Sequence, residues 1–125
     1  LRLDWDLSTT VSRFTCHESL VKDFAKGYEM VVDHYGITKM VNFGLDRFGG
    51  VYNKRKKRGG SSWSVHAFGA AKDTYPSMNK LRWKKDKALF AKPQYEKWFE
   101  IWASLGFISL GKCYNFDWMH IQKNP

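Results

Sequence analysis

Two stretches of helical apolar spacing, one toward each end of the chain, bracket a middle that glycine and proline keep from any regular repeat. In the first, Leu20, Phe24, Tyr28, Val31, Val32 and Tyr35 recur in steps of three and four, so one helix face turns toward a core. The helix is predicted to enter at Thr15 or Cys16, ahead of Glu18, and to stop at Gly36. In the second, Tyr95, Trp98, Phe99, Trp102 and Leu105 form the stripe, Pro93 opens it and Gly106 closes it. Residues 38–53 alternate loosely around Gly44, Gly49 and Gly50, which predicts one or two short strands with a turn. A helical turn is expected from Ser64 to Phe68, a short strand from Ala70 to Tyr75 that Pro76 ends, and a last strand from Cys113 to Gln122. Helices and strands mix without βαβ alternation. The expected class is therefore α+β, a small antiparallel sheet with flanking helices, in a single domain spanning residues 1–125.

The chain is strongly basic, with 21 Lys and Arg against 12 Asp and Glu and a formal net charge of +9. That balance favours anionic partners: nucleic acid, anionic lipid or an acidic polymer such as a bacterial wall. Its densest run, Lys54-Arg55-Lys56-Lys57-Arg58, lies in a basic loop between residues 54 and 60 and is expected to be a solvated surface; no nucleic-acid fingerprint accompanies it. No apolar run approaches the ~20 residues of a membrane span. The N-terminus, Leu1-Arg2-Leu3-Asp4, lacks the pattern of a signal peptide and an initiator Met, which suggests a processed chain or a fragment and makes the missing signal weak evidence about export. Cys16 and Cys113 have no CxxC spacing, and two free, buried thiols in a reducing compartment are expected.

Two short groups of polar residues carry chemistry. Ser64-Val65-His66-Ala67-Phe68-Gly69-Ala70-Ala71-Lys72-Asp73 holds one histidine and one aspartate, and Asp117-Trp118-Met119-His120 holds another of each. His66, Asp73 and His120 supply the nitrogen, oxygen and nitrogen of a three-ligand zinc site that leaves a fourth position open. Asp117 is then the candidate general base. Gly69 permits a tight turn from the segment bearing His66 into the strand bearing Asp73. Asp117 lies three positions before His120, so a regular strand would put them on opposite faces; a bulge or turn is needed between them. Singly, each residue has a plainer role. Asp73 alone could cap a turn, His17 and His34 are taken as structural, with His34 near a helix end where its charge suits the dipole, and Trp83, Trp98 and Trp102 as core.

Taken together, Ser-x-His-x-x-Gly-x-Ala-x-Asp followed by Asp-Trp-x-His resembles the D-Ala-D-Ala carboxypeptidase and L-alanyl-D-glutamate endopeptidase family of zinc peptidases, which includes phage endolysins and cell-wall carboxypeptidases. Ser64, His66, Gly69, Ala71, Asp73, Asp117, Trp118 and His120 fill every fixed position. The flanking residues 58–63 and 117–122 also resemble phage members. The resemblance runs from about residue 45 to 122 and leaves the first 40 residues unmatched.

The resemblance implies a Zn2+ ion on the sheet, held by His66, Asp73 and His120, with Asp117 as catalytic base. It also implies an upstream arginine that stabilises the oxyanion. Arg55, following Tyr52-Asn53-Lys54, is the favoured candidate over Arg58 and Arg47. Ser64, Arg58, Trp63 and Trp118 are the expected substrate contacts, Trp63 and Trp118 either walling the groove or packing beneath it. Lys72 departs from the family pattern, which has an apolar residue there in many members. It is expected to face solvent opposite Asp73, and burial of that face would be expected to distort the site. The implied function is hydrolysis of the stem peptide of bacterial peptidoglycan by an endolysin, as an L-alanyl-D-glutamate endopeptidase. A D-Ala-D-Ala carboxypeptidase and a non-catalytic module binding wall or nucleic acid are the alternatives. The expected partner is peptidoglycan, without nucleic acid or a membrane span. The expected state is a monomer, held in the host cytoplasm before release to the wall.

Overall fold

The computed structural model describes residues 1–51 and 65–124. They form an α+β fold in which one six-stranded sheet is flanked by helices. The helix α1 (Val21–Asn42) follows a 3-10 turn at Glu18–Leu20, and the imidazole of His17 accepts a hydrogen bond from the Ser19 amide at 3.2 Å. The cap therefore falls on His17 rather than on Thr15 or Cys16. Leu20, Phe24, Val31 and Tyr35 are buried, as their spacing predicts. Gly36 leaves the helical path with φ 75°, yet the chain resumes helix and runs on to Asn42. That extra turn, expected from residue 38 to be strand, buries Met40 in the core. His34 sits exposed, two residues ahead of the kink.

The sheet runs in the order β2-β1-β3-β4-β6-β5. β1 (Arg2–Leu3) and β2 (Asp6–Thr10) make an N-terminal hairpin, and β1 pairs parallel with β3 (Arg47–Gly50). This one parallel pair makes the sheet mixed where an antiparallel one was expected. It is possible because β2 and α1 together form a connection long enough to return the chain in the same direction. Arg2 to Asp46 at 2.6 Å and Arg47 to Asp4 at 2.9 Å tie the hairpin to β3. The remaining pairs, β3 with β4 (Ala71–Thr74), β4 with β6 (His120–Gln122) and β6 with β5 (Ile108–Ser109), are antiparallel.

α2 (Glu96–Ser104) grows from a 3-10 turn at Pro93–Tyr95 and buries Trp98, Phe99, Ile101 and Trp102. It packs on α1 where Gly27 leaves room for an indole: a Cβ there would meet Trp102 Cζ3 at 2.2 Å. Trp83 packs half-buried against the same core. The segment expected to be one strand from Cys113 to Gln122 is instead the short helix α3 (Leu110–Tyr114), a turn and the three residues of β6. The Ser109 hydroxyl caps α3 by accepting from the Lys112 amide, and Gly111 lets its backbone lie on the Trp118 ring. Both cysteines are free, but Cys16 is half-buried and Cys113 exposed, so the expected burial of both thiols is corrected.

A further correction is Lys72, which is fully buried rather than solvent-facing. β4 is an interior strand, and its face opposite Asp73 is covered by α1 and β3. The Lys72 ammonium donates to Thr74 Oγ1 at 2.9 Å and lies 5.1 and 5.4 Å from the ring centres of Tyr28 and Phe48. Burial pushes its pKa down to about 7, with Asp73 pulling partly back. A lysine more acidic folded than unfolded destabilises the fold in full below pH 7. Stability then rises with pH, as the unfolded chain holds the extra proton. Lys72→Met, of similar volume, is expected to gain a few kcal/mol at pH 6. Its advantage should shrink steadily between about pH 7 and 10, as read by urea denaturation at each pH; an advantage independent of pH would contradict this account.

Candidate metal centre

Each ligand is delivered by a different local device. His66 lies in a 3-10 turn at Val65–Phe68, which ends at Gly69 with φ 66°. A Cβ on Gly69 would lie 2.6 Å from the His17 nitrogen, and that same amide donates to the Gly69 carbonyl at 3.0 Å. The turn is thus docked on the start of the α1 region before the chain enters β4. On β4, Asp73 stands directly opposite His120 of β6. Asp117 takes φ 53°, a left-handed conformation that Asp adopts more readily than most residues with a side chain, and this supplies the turn required ahead of β6.

Three side chains converge. His66 Nε2 lies 3.4 Å from Asp73 Oδ2, and His120 Nδ1 lies 3.4 Å from Asp73 Oδ1. One ligand atom from each residue falls within 4.8 Å of the others. Two ligands held 2.0–2.1 Å from a tetrahedral zinc would be about 3.3 Å apart. The two imidazoles meet nearly edge to face, their centres 5.0 Å apart at 84°. Both histidines are almost wholly buried.

The outer contacts decide which ring nitrogens face inward. His66 Nδ1 donates to the Val51 carbonyl at 2.8 Å, and His120 Nε2 donates to Gln122 Oε1 at 2.7 Å. With those protons committed, each neutral imidazole turns a lone pair toward an Asp73 oxygen. Lone pairs facing a carboxylate at 3.4 Å repel unless a proton or a cation lies between them. Asp73 Oδ1 correspondingly has no hydrogen-bond partner among the described residues. The donor set fits a divalent cation, with each histidine held by an outer acceptor in the arrangement usual for metal ligands. The identity of the metal is not fixed by this set.

The charges follow the geometry. Burial raises the Asp73 carboxyl, but the adjacent His120 and His66 outweigh it and hold it well below the ordinary carboxylate range. Burial lowers His120, yet Asp73, Asp117 and Gln122 win and raise it above an ordinary histidine. Asp117 stands beside the trio, its Oδ2 3.6 Å from His120 Nδ1. The Asp117 amide donates to the Leu81 carbonyl at 2.8 Å, and its own carbonyl accepts from the His120 amide at 3.0 Å.

Other expected residues fall elsewhere. Trp118 is buried beneath the turn, edge-on to Phe99, with its indole N–H on Asn115 Oδ1. Arg47 is committed to Asp4 and lies over the Tyr75 ring at 4.5 Å. Arg55, Arg58, Trp63 and Ser64 lie outside the described residues. Three supporting groups escaped the sequence: Gln122, the Val51 carbonyl and Asn115. Gln122 alone left a signal, two positions from His120 and so on the same strand face. Comparison with protein-family models, curated proteins and solved structures finds no match to this chain.

Zn2+ is expected to raise the melting temperature. At a hundredfold excess over its Kd the gain corresponds to ~2.7 kcal/mol, and Asp73→Ala should abolish it. Binding requires neutral imidazoles, so the raised pKa of His120 lets protons compete from a higher pH than for an ordinary histidine. Zinc affinity measured by calorimetry should fall continuously from pH 7.5 to 5.5. A flat profile would contradict the assignment of His120 as ligand.

Proposed function

We propose that the chain is a zinc metallopeptidase acting on the stem peptide of bacterial peptidoglycan, cleaving the L-alanyl-D-glutamate bond. The observation that carries this reading is the placement of Asp117. A fourth side chain, a second carboxylate, stands against a three-ligand set, held there by left-handed backbone and by the Leu81 carbonyl. A purely structural metal site has no need of such a group, since its ligands close all four positions. The sequence resemblance supports the choice of zinc and of substrate, and the net charge of +9 suits an anionic polymer.

A zinc ion held by His66, Asp73 and His120 supplies Lewis acidity, which acidifies water and polarises a carbonyl. Asp117 does the proton work. It accepts a proton from the attacking water while the water oxygen bonds to the carbonyl carbon. When the carbon–nitrogen bond breaks, Asp117 delivers that proton to the departing nitrogen. The products are a carboxylic acid and an amine, which exchange the remaining proton to become carboxylate and ammonium, and Asp117 ends as it began. Arg55 is the resemblance's candidate for the charge that meets the oxyanion.

The test is hydrolysis of purified peptidoglycan by zinc-loaded protein, chelated protein and the Asp117→Ala variant, with products read by mass. Zinc-loaded protein should release new amino termini, chelated protein none. Asp117→Ala should keep zinc and lose about 10²- to 10⁴-fold in kcat, the usual weight of a general base. Fragment masses name the bond, so trimming of terminal D-alanine would shift the assignment to a carboxypeptidase. No release from the walls of several bacteria, with zinc confirmed bound, would overturn the proposal.

A further inference from the structure

The segment from residue 80 to 87 carries five basic residues and one acidic one. Its ends are tied by Asn79, which is fully buried: Nδ2 donates to the Tyr75 carbonyl at 3.0 Å and Oδ1 accepts from the Phe90 amide at 2.8 Å. Along its length it is tied to the turn that presents Asp117. The Leu81 carbonyl accepts from the Asp117 amide, and the Lys85 amide donates to Asn115 Oδ1, both at 2.8 Å. The strap is therefore a fixed wall beside the proposed general base. Arg82, Lys84, Lys85 and Lys87 are all exposed.

Some cations on the surface are already compensated. Lys26, Lys97, Lys112 and Lys123 each lie within 4.0 Å of a carboxylate, on Glu29, Glu100, Glu96 and Asp23. Arg82, Lys84 and Lys85, like Lys22, Lys39 and Lys92, make no such pair among the described residues, but they alone of these sit on the strap bonded to the turn of Asp117. Lys80 rests over the Trp83 ring at 5.3 Å. A row of uncompensated cations raises the energy of the fold by self-repulsion, and an anion docked on it relieves that cost. The site needs such a row. Asp73 and Asp117 together offset the charge of a bound divalent ion, so the centre itself gives an anionic substrate no net attraction.

Resting on the peptidase reading above, we propose that Arg82, Lys84 and Lys85 form a subsite that binds the free carboxylates of the stem peptide next to the scissile bond. The strap thereby selects a carboxylate-bearing substrate over the same peptide with its carboxylates amidated.

The experiment compares synthetic stem peptides beginning with L-alanine joined to D-glutamate, with carboxylates free or amidated. Zinc-loaded wild type and the Arg82→Gln/Lys84→Gln/Lys85→Gln variant are assayed at low and high salt. For the free peptide the variant should raise KM by about tenfold, the size expected of three exposed charge contacts together, with kcat unchanged. High salt should bring wild type toward the variant, and the two proteins should coincide on the amidated peptide. Equal KM values for both peptides in the wild type would overturn the subsite while leaving the peptidase intact. Cleavage of neither peptide would instead count against the peptidase reading. Binding of both peptides to zinc-loaded Asp117→Ala protein, by calorimetry, then tests the strap alone: a preference for free carboxylates that the triple substitution abolishes supports it, and equal binding overturns it. Tighter binding of a DNA duplex than of the peptide, lost in the triple variant, would overturn it in favour of nucleic acid.

Discussion

The pairing of β4 with β6 holds the candidate metal centre together. Asp73 faces His120 across that pair, and Ala71 faces Gln122 two residues along. A slip of one residue would turn the whole ligand-bearing face over, so the site exists only in this register. The ladder continues past both ends of the pair, with the Thr74 amide on the Met119 carbonyl and the Lys123 amide on the Ala70 carbonyl, each at 3.0 Å. The register thus rests on more bonds than the three paired residues make by themselves. His66 arrives separately, through a turn clamped to His17, and so brings a third ligand that the sheet alone would not supply.

Around that pair the protein has gathered groups that burial alone would disfavour. Two imidazoles and two carboxylates sit within a few ångströms in a nearly dry setting, and a lysine is buried on the other side of the same strand. A buried charge is tolerated only when paired or hydrogen-bonded. Asp73 meets this condition through both histidines, and Lys72 through Thr74 and two aromatic faces. Burial of Lys72 was expected to distort the site. Strand alternation sends Lys72 and Asp73 to opposite faces, and His66, Asp73 and His120 still converge on one side of β4.

What was legible in the sequence follows from how local its causes are. The apolar stripes of α1 and α2 announce themselves at helical period, and the His-Asp spacing around Gly69 carries the geometry of a tight turn. The N-terminal hairpin left no such trace. β2 is exposed throughout and held by Asp6 accepting from Ser8 and Thr9, and β1 is fixed by ion pairs to residues more than 40 positions away. α3 was hidden for a similar reason: its packing depends on Gly111 meeting Trp118, a contact no periodicity encodes. Gly36 is the intermediate case. Its left-handed break was legible, but the return to helix was not, since burial of Met40 decides it.

Asn115 and Asp117 show why position, rather than stability, governs the turn before β6. Both are non-glycine residues with positive φ, 55° and 53°. Left-handed backbone is disfavoured for most residues with a side chain, and Asn and Asp are among those that adopt it most readily. Surrounding bonds fix both of them in this conformation. The bonds are present: Leu81 holds the Asp117 amide, while Asn115 Oδ1 accepts from both Lys85 and Trp118. An extended path into β6 would place Asp117 on the face opposite His120. The left-handed turn is therefore what sets an acidic group beside the His66, Asp73 and His120 cluster, on the same side as His120.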